Sequence, residues 1–133
     1  MLYALLAYHE EHVIQGLSEA DDAALMRDLH AVHGRWEAEG VLGPAARLGA
    51  TTRAKTVRGP GRGLVTDGPF TETKEALLGF YVIEADSLED AAEKARDLNA
   101  ANPSAAYEVR PIVLYRPGAP FPLTDTGLEH VRP

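Results

Sequence analysis

Leu78-Gly79-Phe80-Tyr81-Val82-Ile83 is the stretch on which the fold turns. It reads as a strongly apolar strand over Leu78–Glu84. Leu78, Phe80 and Val82 alternate with Gly79, Tyr81 and Ile83, so both faces of the strand are apolar. One face calls for helices. The other needs a cover that a single chain of 133 residues does not supply, which predicts a homodimer with facing sheets.

Downstream, Ser87-Leu-Glu-Asp90 has the spacing of a capping box. It opens a helix with Leu88, Ala91, Ala92, Ala95 and Leu98 on one face, ended by Asn99–Pro103. Tyr107–Tyr115 reads as the last strand. Upstream, Asp67-Gly-Pro-Phe70 breaks regular structure. Before it, Thr51–Arg58 and Leu64–Thr66 flank the turn Gly59-Pro-Gly-Arg-Gly63 as a hairpin. Val41–Ala50, rich in Gly and Ala, reads as irregular. A second capping spacing, Ser18-Glu-Ala-Asp21, starts a helix that runs to Gly40, with Leu25, Leu29, Val32 and Trp36 as its buried stripe. His9–Gly16 reads as a polar connection and Leu2–Tyr8 as a buried first strand.

With the hairpin set aside, the order is β-α-β-β-α-β. That order specifies an α+β, ferredoxin-like antiparallel sheet with both helices on one face. The folded domain is expected over residues 1–115. Residues 116–133, with four Pro, form a C-terminal tail.

Composition narrows the function classes. The chain has no Cys, which excludes a disulfide framework, a thiolate metal site and a Cys nucleophile. Apolar residues make up 45% and charged residues 25%, as in an ordinary globular domain. No apolar run spans a membrane, and the N-terminus lacks the basic start of a signal peptide, so the expected location is cytoplasmic. The net charge of −7 disfavours nucleic acid as a partner. Charge is unevenly placed: residues 45–66 carry Arg47, Arg53, Lys55, Arg58 and Arg62 and no acid. This basic island either attracts an anionic ligand or is a solvated hairpin, and the residues alone favour the second.

Two features bear on chemistry. His33 lies beside Leu29 and Trp36 at the edge of the buried stripe, where an imidazole facing a cleft suits proton transfer. His30 lies farther round, toward solvent. Asp67, held on a stiff Gly-Pro turn, is placed to orient an imidazole or, equally simply, to cap its own turn. For both residues the structural role weighs more on chemistry alone. Arg110 sits on a strand where a charge is unexpected, and either binds an anion in the cleft or pairs with Glu108 or another carboxylate. His9-Glu-Glu-His12 is not a zinc-protease helix motif. Gly59-Pro-Gly-Arg-Gly63 lacks the Lys-Ser/Thr of a phosphate loop. No metal or cofactor is therefore expected.

Asp67-Gly68-Pro69-Phe70, continuing through Thr-Glu-Thr-Lys-Glu75 to Leu78–Ile83, resembles the signature of the DGPF branch of the YCII-related proteins, in the dimeric α/β-barrel superfamily. Met1–Tyr8, Gly40-Val-Leu, Thr56-Val57-Arg58 and Glu108-Val109-Arg110-Pro111 are similar to its other segments, so the likeness covers about residues 1–115. It implies a ferredoxin-like homodimer with a cleft in each subunit, and a His–Asp pair that here would be His33 and Asp67, with His30 a rival. Arg110, Phe70 and Lys74 are the expected substrate contacts, for a small anionic or polar organic ligand. The expected activity is cofactor-free, of the lyase or isomerase kind. The alternative is a non-catalytic ligand-binding or regulatory dimer, because many members are encoded beside sigma factors.

Overall fold

The computed structural model describes residues 1–118, so most of the expected tail lies outside the described residues. The elements are β1 (Leu2–His9), α1 (Glu11–Gln15), α2 (Glu19–Glu39), β2 (Leu42–Arg47), a 3-10 turn at Thr51–Arg53, β3 (Lys55–Arg58), β4 (Leu64–Asp67), β5 (Ala76–Glu84), α3 (Leu88–Ala101) and β6 (Ala106–Pro111). The main sheet has the order β2-β5-β1-β6, with every neighbouring pair antiparallel. This is the expected ferredoxin-like α+β arrangement, and β3–β4 forms a separate two-stranded ribbon.

The helix ends follow their caps. Ser18 accepts a hydrogen bond from the Asp21 N–H, and Ser87 accepts one from the Asp90 N–H. Gly40 closes α2 at φ 72°, a left-handed conformation that glycine adopts without a Cβ clash.

Alternation sorts the sheet residues. Tyr3, Leu5, Tyr81 and Ile83 are buried against Leu29, Val32 and Trp36 of α2 and Ala91, Ala95 and Leu98 of α3. The neighbouring residues point the other way. Ala4 pairs with Val82 and Leu6 with Phe80, and all four are half-buried on the face that the helices leave open. Glu108 and Arg110 border the same face, opposite Leu6 and Ala4.

Four readings of the sequence are corrected: the hairpin strand begins only at Lys55, after the 3-10 turn at Thr51–Arg53, the last strand ends at Pro111 rather than Tyr115, and two segments change in kind. Val41–Ala50 contains a strand, β2, despite Gly43 and Pro44. Its pairing with β5 overrides weak local propensity, and as an edge strand it can lack the Pro44 N–H donor. The ladder shifts register between Leu42 and Ala45. There the backbone comes so close that a Cβ on Gly43 would lie 2.9 Å from the Val82 carbonyl oxygen. His9–Gly16 is not wholly a loop, since it holds the short helix α1. The Glu11 carboxylate ties α1 to the 3-10 turn by accepting from the Thr51 N–H (2.9 Å) and hydroxyl (2.7 Å).

Candidate functional site

The helices do not fully cover their face of the sheet. Where β1 ends and β5 begins, α2 arches over a cavity of about 540 Å³. Its floor is Ala7, Gly79, Tyr81 and Tyr107, and its roof is Leu25, Met26, Leu29, His30 and His33. Arg47 from β2 and Ile14 from α1 close the sides. A cavity of this size and mixed lining suits a small organic molecule.

Helical periodicity puts His33 there. It stands four residues after buried Leu29 and three before buried Trp36, on the edge of the stripe. Its Nε2 is 2.8 Å from the Tyr81 hydroxyl. The two rings lie 5.2 Å apart, and Tyr81 in turn meets Trp36 edge-on at 6.0 Å. The dyad is thus held by core packing on one side and opens to the cavity on the other.

Burial sets its protonation. Loss of solvent lowers the His33 pKa below its ordinary 6.5. The nearby His30 ring, 5.6 Å away, lowers it further, and Glu37 works in the opposite direction. Burial raises the Tyr81 phenol well above its ordinary 10.0, and Tyr107 adds to the rise. At neutral pH the site therefore pairs a neutral imidazole with a protonated phenol. Tyr107 is also raised by burial, an effect opposed by the Asn102 amide that donates to its oxygen at 3.4 Å.

The cavity ends are pinned. Buried Asp22, at the start of α2, accepts from Arg47 Nη2 at 3.0 Å, which fixes the guanidinium on the wall. Buried His9 has Nδ1 3.0 Å from the Glu10 carbonyl and Nε2 2.7 Å from the Ser104 hydroxyl. A proton on Nδ1 satisfies both: Nδ1–H donates to the carbonyl and Nε2 accepts from Ser104.

Of the residues expected at a site, His33 and its rival His30 line this cavity; Asp67, Phe70, Lys74 and Arg110 do not. Within the chain, His33 and Asp67 are not hydrogen-bonded. Asp67 pairs instead with Lys55 at 2.7 Å on the exposed ribbon. Phe70 lies under the Arg58 guanidinium, 4.6 Å from its ring centre. Lys74 reaches Glu10 at 3.2 Å, and Arg110 reaches Glu108 at 3.7 Å. Sequence reasoning missed Tyr81, Tyr107 and Arg47. The signal for Tyr81 was present: a Tyr on the helix-facing side of a core strand needs a partner for its hydroxyl, and His33 stands at the edge of the stripe that packs on that side.

The model of the YCII-related domain matches residues 1–116. The chain belongs to the YCII-related family. It is also 53% identical over 120 residues to an uncharacterised protein of Rhizobium meliloti (strain 1021), an alignment that covers 89% of this chain and 97% of that protein. The YCII-related match thus embraces every element that builds the cavity. Among the described residues, no group of three or more His, Asp or Glu gathers where it could hold a metal ion, and no helix is long and apolar enough to cross a membrane.

Proposed function

We propose that this YCII-related protein binds a small polar or anionic organic molecule in the α2 cavity and moves a proton on it without a cofactor. The observation that carries the reading is the 2.8 Å contact between His33 Nε2 and the Tyr81 hydroxyl inside that cavity. When Nε2 bears the proton it donates to the phenol oxygen. Nδ1 is then a base and the Tyr81 O–H an acid, so one dyad can remove a proton and return one elsewhere on the same molecule. The lowered His33 pKa keeps the base unprotonated near neutrality. The Arg47 guanidinium, fixed by Asp22, offers a polar end for the ligand.

The motif Asp67-Gly-Pro-Phe70 supports membership of the DGPF branch, the open face of Ala4, Leu6, Phe80 and Val82 supports a homodimer joined through its sheets, and the Cys-free sequence supports a cytoplasmic location. A non-catalytic, regulatory ligand-binding role is the second reading. It is favoured by the aliphatic roof of Leu25, Met26 and Leu29, which needs no chemistry to hold a ring.

One experiment separates the two. A thermal-shift screen of small organic acids and phenols finds ligands, and NMR in D₂O follows exchange of the bound ligand's acidic C–H. His33→Gln and Tyr81→Phe are expected to keep binding and to slow exchange by about a hundredfold or more. Exchange unaffected by both variants refutes proton transfer and leaves the binding reading. Ligands that bind without disturbing the His33 ring resonances refute the site.

A further inference from the structure

The β3–β4 ribbon has no role in the cavity, and it is built in a way that solvent alone does not explain. Val57, Leu64, Val65 and Phe70 are each more than half exposed. The register puts Val57 across from Val65 and Arg58 across from Leu64. Adjacent pairs in a ladder point to opposite faces, so Val57 and Val65 share one side and Leu64 lies on the other opposite Arg58, and a two-stranded ribbon cannot bury either side against itself. Its base is nonetheless firmly set. Lys55 bonds Asp67, the Thr56 hydroxyl donates to the Gly68 carbonyl at 2.9 Å, and the Gly68 N–H donates to the Ala54 carbonyl at 2.8 Å. This is a held arm rather than a slack loop.

Its charge points to the occupant. The β3–β4 ribbon, Lys55–Asp67, carries three bases against one acid, a charge of +2, while the whole chain is at −7, so the rest of the chain stands at −9. The arm is therefore complementary to the rest of its own molecule. Acids such as Glu19, Asp21, Asp28 and Glu39 line the exposed side of α2. Nucleic acid fits poorly, because the body that carries the arm would repel it. The arm also leaves the sheet between β2 and β5, the strands that border the open apolar face.

We propose that the β3–β4 ribbon is an arm that grips a second copy of this chain. Val57, Val65, Leu64 and Phe70 seat on the partner, and Arg58 and Arg62 face its acidic surface. The inference stands apart from the proton-transfer reading, and it adds to sheet stacking a second contact of different chemistry.

The test is sedimentation of the full chain through the micromolar range, with four variants. Arg58→Glu/Arg62→Glu reverses the arm's charge, and Val57→Ser/Val65→Ser removes apolar area. Each is expected to raise the dimer dissociation constant at least about tenfold. Added salt should weaken the wild type more than the charge-reversed chain. Phe70→Trp supplies a reporter beside buried Trp36, and the emission it adds should shift to the red on dilution. Circular dichroism and melting confirm that each variant keeps its main sheet. A wild type that stays monomeric, dissociation constants unchanged by both double variants, or emission at position 70 independent of concentration each overturns the arm. Phe80→Asp, on the open face, distinguishes the failures: dimers lost with Phe80→Asp but not with the arm variants refute the arm and keep sheet stacking.

Discussion

Replacing Arg47 by Met removes the guanidinium from a carboxylate that the fold has taken out of water. The Asp22 side chain is 4% exposed and the Arg47 side chain 25%. Deleting one partner of a buried pair costs about 3–5 kcal/mol, because the remaining charge keeps its desolvation penalty and loses its attraction. Water reaches the Arg47 side, so the lower end applies, about 3 kcal/mol. For a domain of this size that is a fall of about 12 °C in Tm. Asp22→Leu/Arg47→Met removes both charges and fills the space with aliphatic atoms, and should return to within about 1 kcal/mol of the wild type. Urea titrations of the wild type, both single variants and the double variant at neutral pH give the coupling directly. A cost below about 1 kcal/mol for Arg47→Met would place the pair among solvated surface bridges. A double variant no more stable than Arg47→Met would show that Asp22 is not held as a buried charge. Either result refutes the account of how this cavity wall is held.

Two further outcomes are expected. The folded His33 takes up its proton at a lower pH than the 6.5 of the unfolded chain. Between the two values the unfolded state binds more protons, so stability rises with pH there. The contribution is complete above 6.5 and is lost as pH falls toward the folded value. His33→Gln should flatten that slope in denaturant titrations across about pH 5–7.5. Ser18→Ala and Ser87→Ala each remove a cap acceptor, from Asp21 and Asp90 respectively, and should cost about 1 kcal/mol apiece. The caps serve different helices, so their melting shifts should add.

What was legible in the sequence was whatever is decided locally. Ser18, Gly40 and Ser87 mark their helix ends by hydrogen bonds that span three or four residues, and the structure places those bonds as expected. The alternation of Leu78–Ile83 likewise survives folding, because a strand's two faces follow from backbone geometry alone. β2 was not legible. Leu42-Gly-Pro-Ala-Ala-Arg47 has little strand propensity, and the β5 ladder that holds it begins more than thirty residues later. The site divides in the same way. His33 could be read from helical spacing, but its partner Tyr81 is 48 residues away and belongs to a different element. Asp67 is the expected partner because the family resemblance implies a His–Asp pair; in the structure Lys55, across the ribbon, engages that carboxylate.

β1 lies inside the sheet, and its two neighbours come late in the chain. Leu5 pairs with Tyr81 on one side and with Val109, more than one hundred residues on, at the other. During synthesis, then, β1 leaves the ribosome well before either strand of its ladder. Loop closure over such spans is slow, so the nascent chain carries an apolar strand with both edges bare until β5 emerges, and with one edge bare until β6 follows. A chain stopped after α3 would leave the Leu5 and Ala7 edge permanently open, a template for pairing between incomplete chains. Among the described strands it is β6, Ala106–Pro111, that closes this second edge of β1 and removes the template.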